Sequence, residues 1–335
     1  MVKAKIGFDI GSNSMNIALL RGGEIRLETV RLPENLVDGN GNITLPHAFT
    51  QLLKQLKKEL ALPRAQAALV LPPSQAICRL VNLPRMTTEQ LLLNLPYEFT
   101  DFIQGVADQY FCDYAVCTPT EAEAAAEDGG VPMMAAVAAK QTLAEYAQMF
   151  ARAGIGLKTI LPQEMALVSL VQANLAQQKA DDLPGAEYCF VDLGHYATRI
   201  TVVWRDRVQA TRQIALGGRN LDMLLAEELG LDAFLANTYK LSNYQDILSA
   251  AGVAELFDRI AVEILKVINF YQFTFRSSSL PGIYLVGGGA ALQPLRQAIE
   301  GALGMPLLNP AQLLPAQTEQ AAAGVFAAGA AMGEG

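Results

Sequence analysis

The chain has 335 residues, more than a single hydrophobic core usually organises, so we expect two domains. Hydrophobic residues make up 51% of the sequence and charged residues 17%, which excludes an intrinsically disordered chain. The formal net charge of −8 argues against a nucleic-acid partner, because binding to a phosphate backbone needs clustered lysine and arginine side chains.

Neither end of the sequence predicts a membrane anchor. The first residues, MVKAK, lead directly into a strand and do not resemble a signal peptide. The most apolar segment, AAAGVFAAGAAM at residues 321–332, is shorter than the about 20 residues that span a bilayer. We expect a packed helix there, rather than a helix lying on a membrane surface. The four cysteines lack the spacing of a metal or redox site, so we expect reduced thiols in the cytosol.

The first motif, KIGFDIGSNSMNIALL at residues 5–20, places an acid at the end of a hydrophobic strand. Asp9 is followed by a turn of small residues, and a second strand begins at once. The N–H groups of such a turn can hold phosphate oxygens, because no bulky side chain blocks the approach. The turn residues expected to contribute are Gly11, Ser12, Asn13 and Ser14.

The same unit returns in the second half of the chain as CFVDLGHYATRITVVW, residues 189–204. Asp192 aligns with Asp9 without a gap. In the same register, Gly194 aligns with Gly11, and each copy reads strand, turn, strand, polar turn, strand. Two carboxylates at equivalent strand ends suit a hydrated Mg²⁺, which keeps several of its water ligands. For either aspartate alone, the alternative is a turn-forming residue satisfied by local backbone; for the pair we favour the metal.

Two glycine segments extend the pattern. Residues 287–289 (GGG) lie between a predicted strand, 283–286, and a predicted helix, 294–303, and let the backbone approach a flat ligand. Gly217 and Gly218 precede another predicted helix, whose free N–H groups can face the same cleft. For each segment the alternative is a plain strand-to-helix connection. The sequence contains neither the Rossmann nor the P-loop pattern.

In order and spacing, these motifs resemble the two phosphate motifs and the adenosine motif of the actin-like ATPase superfamily. The matching segments are FDIGSNS, VDLGHYAT and YLVGGGAAL. Further segments resemble the PilM family of type IV pilus assembly proteins, which is related to FtsA: ENLVDGNGNI (34–43), LVLPPSQAICRLVNLPRMT (69–87), YEFTDFI (97–103), AAVAAKQTLAEYAQMFARAGI (135–155), FYQF (270–273) and LNP (308–310).

The resemblance implies an α/β, actin-like ATPase fold, with two duplicated ribonuclease-H-like domains and a small α+β inserted subdomain in the first. The implied first actin-like core subdomain covers 1–75 and 156–180. The inserted subdomain, of the PilM and FtsA type, covers 76–155, and the second actin-like domain covers 181–335.

The resemblance also implies a site for ATP or ADP with Mg²⁺. Asp9 and Asp192 would hold the metal through water. The residues implied in nucleotide binding are Asp9, Gly11, Ser12, Asn13, Ser14, Asn16, Asp192, Gly194, His195, Thr198, Gly217, Gly218, Lys240, Gly287, Gly288 and Gly289.

Some positions depart from the family pattern. Asn16 stands where a phosphate-binding lysine is usual, which we expect to weaken phosphate binding. On the helix that would contact the ribose, Lys240 is kept but Asn237 replaces an acid. His195 is expected to point to solvent, with contact to a phosphate as the alternative. No convincing catalytic base emerges, so we expect weak or absent ATPase activity. Glu164 lies roughly where the superfamily can keep a residue that orients water, but we expect a surface or capping residue at a helix start.

The implied function is that of a cytoplasmic adaptor at the inner face of the cytoplasmic membrane. It would bind the cytoplasmic N-terminal tail of a PilN-like inner-membrane protein, in a groove between the first core subdomain and the inserted one, and link it to other pilus platform and motor proteins. The membrane would be reached only through this partner, and self-association stays open. One alternative is an FtsA-like cell-division or cytoskeletal protein, although an FtsA-type basic C-terminal helix is not predicted. The other is a small-molecule kinase, although no catalytic acid motif is found.

Overall fold

The computed structural model describes residues 4–125, 130–177, 187–275, 279–315, 318 and 320–333. The strands are β1 (Lys5–Ile10), β2 (Ser14–Arg21), β3 (Glu24–Arg31), β4 (Gln66–Leu71), β5 (Ala76–Leu83), β6 (Tyr110–Val116), β7 (Val131–Ala139), β8 (Leu157–Pro162), β9 (Tyr188–Leu193), β10 (Thr198–Trp204), β11 (Arg207–Ile214), β12 (Ile283–Val286) and β13 (Leu307–Leu308). The helices are α1 (Pro46–Glu59), α2 (Thr88–Asn94), α3 (Glu121–Ala125), α4 (Lys140–Arg152), α5 (Gln163–Gln177), α6 (Gly218–Leu229), α7 (Ala233–Ser242), α8 (Ala251–Thr274), α9 (Gln293–Leu303) and α10 (Ala321–Met332).

The first half of the chain forms a five-stranded sheet in the order β3-β2-β1-β4-β8. The strands β1, β2 and β3 are antiparallel neighbours, whereas β4 runs parallel to β1 and β8 runs parallel to β4. Both faces of β1 are buried, because α1 and α4 pack on one face of the sheet and α5 and α10 on the other. A strand covered on both faces is apolar at almost every position, which leaves Asp9 as the exception near its carboxyl end.

The second half repeats this sheet in the order β11-β10-β9-β12-β13, with the same arrangement of antiparallel and parallel neighbours. Asp192 of β9 lies opposite Arg199 of β10, as Asp9 of β1 lies opposite Asn16 of β2. The helices α6, α8 and α9 bury one face of this sheet. The duplicated unit found in the sequence is therefore present in three dimensions, and the predicted fold of two duplicated α/β halves is confirmed.

A third, three-stranded antiparallel sheet, β5-β7-β6, lies between β4 and α4 in the chain. We call it the inserted sheet. The helix α2 and the 3₁₀ turn after it bury one face of this sheet. The helix α2 begins with a capping box: the N–H of Gln90 donates to Thr87 Oγ1 (3.3 Å) and the N–H of Thr87 donates to Gln90 Oε1 (3.0 Å). The 3₁₀ turn carries Pro96, which prevents α2 from continuing.

The acidic segment at residues 121–130 departs from the sequence prediction. The sequence EAEAAAEDGG predicts an acidic turn or loop, but α3 occupies its first part, so this prediction is wrong for residues 121–125. A second capping box explains the helix, because the N–H of Thr120 donates to Glu123 Oε2 (2.7 Å) and the N–H of Glu123 donates to Thr120 Oγ1 (3.1 Å). Residues 126–129 of the predicted loop lie outside the described residues.

The apolar segment near the C-terminus forms α10, which is buried along most of its length, as predicted. It follows the second sheet in the chain but packs against β1, β2, β4 and α5 of the first half. Within the described residues, no helix combines the length and the apolar character needed to cross a bilayer. The domain boundaries stay predictions, and the boundary between residues 180 and 181 lies outside the described residues.

Candidate functional site

The carboxyl ends of β1 and β9 contribute to one cleft of about 550 Å³ between the two sheets. The predicted site residues that line it are Asp9, Gly11, Ser12, Asn13, Ser14, Asn16, Asp192, Gly194, His195, Gly218, Lys240, Gly287, Gly288 and Gly289. The topology places them together because equivalent strands of the two sheets end at the same cleft.

Two predicted residues, Thr198 and Gly217, are not in the lining of this cleft. The buried Thr198 hydroxyl donates to the carbonyl of Leu216 (2.9 Å). The N–H of Gly217 donates to Asn220 Oδ1 (2.9 Å) at the start of α6. The Thr198 hydroxyl and the Gly217 N–H therefore each donate a hydrogen bond within the protein. Direct contact of these two residues with a ligand stays a prediction.

Asp9 is held in the cleft by a neutral network. Its Oδ2 accepts a hydrogen bond from Asn16 Nδ2 (3.1 Å), and Asn16 Oδ1 accepts one from the Thr29 hydroxyl (2.9 Å). Burial raises the pKa of Asp9 to about 7; the hydrogen bond from Asn16 opposes this rise and the charge of Asp192 adds to it.

Asp192 has a comparable setting. Its Oδ2 accepts a hydrogen bond from Gln163 Nε2 (2.9 Å), and Gln163 Oε1 accepts one from Arg199 Nη1 (2.9 Å). Burial raises the pKa of Asp192, while Arg199 and Gln163 work in the opposite direction. Gly287 lies so close that a Cβ at that position would be 2.3 Å from Asp192 Oδ1. A larger residue would displace the carboxylate, so the glycine is needed for this approach.

The pair of carboxylates fits a divalent cation. Neither Asp9 nor Asp192 forms an ion pair with lysine or arginine in the part of the chain that the structure describes. Two half-buried carboxylates that line one cleft, each with a raised pKa, form a pair that a divalent cation would stabilise by supplying positive charge. No group of three or more potential metal ligands occurs among the described residues, so such a cation would keep water in its coordination shell.

A cluster around Asp222 forms another wall. Lys240 Nζ lies 2.6 Å from Asp222 Oδ1, and His195 Nδ1 lies 3.6 Å from Asp222 Oδ2. Across the cleft, Asn13 Nδ2 lies 3.2 Å from the same nitrogen of His195. Burial lowers the pKa of His195, Asp222 opposes this, and Lys240 and Arg219 reinforce it. The expectation that His195 points to solvent is therefore wrong, because its ring contacts both halves of the protein.

Sequence reasoning missed several of these residues. Gln163 lines the cleft and directly follows β8, a strand of the same sheet as Asp9. Its position directly after a strand could have indicated that it lies at the same edge of the sheet. Asp222 lies one turn after Gly218 on α6, so the helical spacing places both on one side. Phe326 of α10 also lines the cleft, but no local signal indicates where α10 packs. Glu164, expected at the surface or as a cap, is buried.

Comparisons with known proteins agree with this architecture. A family model described as "Type IV pilus assembly protein PilM" matches residues 7–324. A solved PilM-PilN type IV pilus biogenesis complex contains a chain that is 21% identical, with a TM-score of 0.76, covering 97% of this chain and 96% of that one. The ethanolamine utilization protein EutJ from Carboxydothermus hydrogenoformans is 17% identical, with a TM-score of 0.55, covering 98% of this chain and 90% of that one. The two solved structures share the fold, and the family model spans nearly the whole sequence.

Proposed function

The chain belongs to the PilM family of type IV pilus assembly proteins, and on this premise we propose that it is a cytoplasmic adaptor that binds ATP or ADP with Mg²⁺ and the N-terminal tail of a PilN-like inner-membrane protein. The family match over residues 7–324 supports the role in pilus assembly. The likeness to a solved PilM-PilN complex over 97% of this chain supports the choice of partner.

One observation carries the nucleotide part of the proposal: Asp9 and Asp192 stand at equivalent strand ends in a cleft whose other walls include small-residue turns. In this proposal the two carboxylates hold Mg²⁺ through its water, and the ion neutralises phosphate charge. The turn at residues 11–14 and Gly194 offer N–H groups to phosphate oxygens. Residues 287–289 allow the close approach that a flat base needs.

Asn16 argues for a nucleotide that serves as a structural ligand. It carries no charge and already bonds to Asp9 (3.1 Å) and Thr29 (2.9 Å), so it offers no cation to a phosphate. The amine of Lys240 is paired with Asp222 (2.6 Å). We therefore propose that nucleotide binding fixes the relative position of the two halves, with hydrolysis weak or absent.

The adaptor part of the proposal places the tail of the partner beside the inserted sheet, in the groove between this sheet and the first sheet. Phe111 and Val116 on β6 are 51% and 61% exposed, so the inserted sheet offers apolar surface to a partner. In this proposal the PilM-family chain then links the partner's tail to other pilus platform and motor proteins at the inner face of the membrane. The membrane is reached through the partner.

Titration calorimetry with Mg·ATP and Mg·ADP tests the site. Wild-type protein is expected to bind both nucleotides. Asp9→Asn and Asp192→Asn are expected to weaken binding about 10-fold or more, because each removes a charge that holds the metal.

Asp108→Asn is the matched control, because Asp108 is exposed and lies outside the cleft. Its affinity is expected to equal that of the wild type. If all four proteins bind nucleotide equally well, the assignment of the site is refuted. A separate titration with a synthetic tail peptide of the PilN-like protein tests the adaptor role, and absence of binding would contradict it.

A further inference from the structure

The segment at residues 36–44, which we call the bridging loop, has a rigid internal structure. The Asp38 carboxylate accepts the backbone N–H groups of Asn40 and Asn42 (2.8 Å each) and the side-chain amide of Asn42 (2.9 Å). The backbone adds hydrogen bonds from Asp38 N–H to the Asn42 carbonyl (3.0 Å) and from Gly41 N–H to the Asp38 carbonyl (3.1 Å). These hydrogen bonds link residues 38, 40, 41 and 42 of the loop to one another.

One side of the bridging loop holds the chain where it enters and leaves the inserted sheet. Ser74 donates to the Asn40 carbonyl, and Gln75 Nε2 donates to Asn42 Oδ1 (3.1 Å), directly before β5 begins. On α4, which follows β7, the Tyr146 hydroxyl donates to the Gly41 carbonyl (3.1 Å). Both connections of the inserted sheet to the first half are therefore bonded to this loop.

The other side of the bridging loop contacts the second half of the protein. The ring of Tyr196 packs on Gly39 so closely that a Cβ on Gly39 would lie 3.0 Å from Tyr196 Cε1 and 3.1 Å from Cζ. The φ angle of Gly39 is not positive, so the small size of this residue, and not an unusual backbone conformation, permits the contact. Tyr196 directly follows His195, and the two rings pack edge to face with centroids 4.8 Å apart.

From these contacts we propose that Tyr196 and the bridging loop transmit the occupancy of the cleft to the groove beside the inserted sheet. A phosphate that contacts Gly194 and His195 has to compete with the contact between His195 and Asn13, because that contact spans the space between the two turns. Movement of His195 carries the packed ring of Tyr196 with it, and the ring bears on Gly39. The loop then shifts the two connections that position the inserted sheet.

This inference rests on the proposed function, because it requires that the protein binds both a nucleotide and a tail. Coupling between two binding sites is reciprocal: each ligand changes the affinity of the other by the same factor. Loss of the linking contact must therefore abolish this factor in both directions while leaving the separate affinities in place. Tyr196 suits such a test, because it is not in the lining of the cleft.

The experiment measures the affinity of the synthetic tail peptide by calorimetry, without nucleotide and with saturating Mg·ADP, and then the affinity of Mg·ADP with and without peptide. In the wild type we expect a change of about 5-fold or more, equal in both directions. Tyr196→Ala is expected to bring this factor close to 1, with each ligand alone bound within about 3-fold of the wild type. Tyr196→Phe keeps the ring and is expected to keep the coupling.

Gly39→Ala is a second variant, because its added Cβ would lie 3.0 Å from the ring and forces the ring to shift by a few tenths of an ångström; we expect a changed coupling factor there. Phe273→Ala is the control, since Phe273 is an exposed aromatic residue on α8 outside these contacts, and it is expected to behave as the wild type.

If both ligands bind but the wild type shows no coupling, or Tyr196→Ala and Gly39→Ala retain the wild-type coupling, the inference alone is overturned. If the wild type binds no nucleotide or no tail, the proposed function fails and the inference fails with it.

Discussion

At the scale of single residues, Glu164 shows how packing changes the chemistry of a side chain. It lies in the first turn of α5, where an acid is ordinarily a surface or capping residue, yet it is only 5% exposed. The Cys78 thiol lies 4.0 Å from Oε2 of its carboxylate. Burial raises the pKa of Glu164, while its own N–H and the charge of Arg199 lower it in part.

Glu164→Gln is therefore expected to stabilise the protein in a pH-dependent way. Because the folded state holds the proton at pH values where the unfolded chain has lost it, wild-type stability decreases as the pH rises above the ordinary pKa of glutamate. The variant escapes this loss, so its advantage is near zero at pH 4 and grows to about 1–3 kcal/mol at pH 8. Urea unfolding of both proteins from pH 4 to pH 8 measures the difference.

Glu89→Gln is the matched control, because Glu89 is exposed in the first turn of α2. The difference in free energy of unfolding between Glu89→Gln and the wild type is not expected to grow from pH 4 to pH 8. A constant difference between Glu164→Gln and the wild type across the pH range would show that Glu164 is ionised in the folded protein.

At the scale of elements, the hairpin of β10 and β11 contacts the segment between β6 and β7 of the inserted sheet. Arg207 is 1% exposed, and its Nη1 lies 3.0 Å from Glu123 Oε1 on α3. The same guanidinium donates to the carbonyl of Thr118, and Asp206 Oδ2 accepts the N–H of Thr118 (2.6 Å). The contact therefore joins two elements that are far apart in the chain.

Arg207→Gln is expected to lower the free energy of unfolding by about 1–3 kcal/mol, because the buried guanidinium loses its contacts with the partly exposed carboxylates of Glu123 and Asp206. The neighbouring Arg205 is exposed, so Arg205→Gln is expected to change stability by less than about 0.5 kcal/mol. Chemical denaturation of the two variants beside the wild type measures both values. Equal unfolding midpoints for the two variants would show that this contact does not hold the elements together.

At the scale of the whole molecule, α10 connects the end of the chain to its beginning. The helix is apolar on all sides, and it packs against the first sheet and α5 while it also contacts β12 of the second sheet. Its residues share one hydrophobic cluster with side chains from both halves. The relative position of the two sheets, and with it the shape of the cleft, therefore depends on this helix.

Ala328→Asp is expected to destabilise the protein by roughly 4 kcal/mol or to prevent folding, because Ala328 is fully buried and the carboxylate would have no partner. Ala328→Gly tests the helix alone and is expected to cost about 1 kcal/mol. Yield of folded protein and urea unfolding give the measurement. Similar stability of the two variants would mean that α10 is not part of the core.

Local patterns predict a large share of the fold and part of the site. The strand with Asp9 near its end, its copy with Asp192 near its end, and the glycines at residues 287–289 can be predicted because apolar runs and turn chemistry depend on neighbours in the chain. His195 and Glu164 were misjudged because their surroundings come from distant segments. The contacts of Asn13 with His195 and of Gln163 with Asp192 could not be predicted for the same reason, because each joins residues that are distant in the chain.

By itself, the sequence determined that the chain holds a duplicated strand unit and an apolar helix at residues 321–332, because strands, turns and apolar runs are recognisable from neighbouring residues. The inserted segment is implied by the resemblance to the PilM family. Only the tertiary structure decided that α10 packs on the first sheet, that Asp222 pairs with Lys240, and that Tyr196 packs on Gly39. These contacts join residues that are far apart along the chain or depend on how whole helices pack. Their geometry is fixed by the packing of both halves around shared cores, which no local pattern encodes.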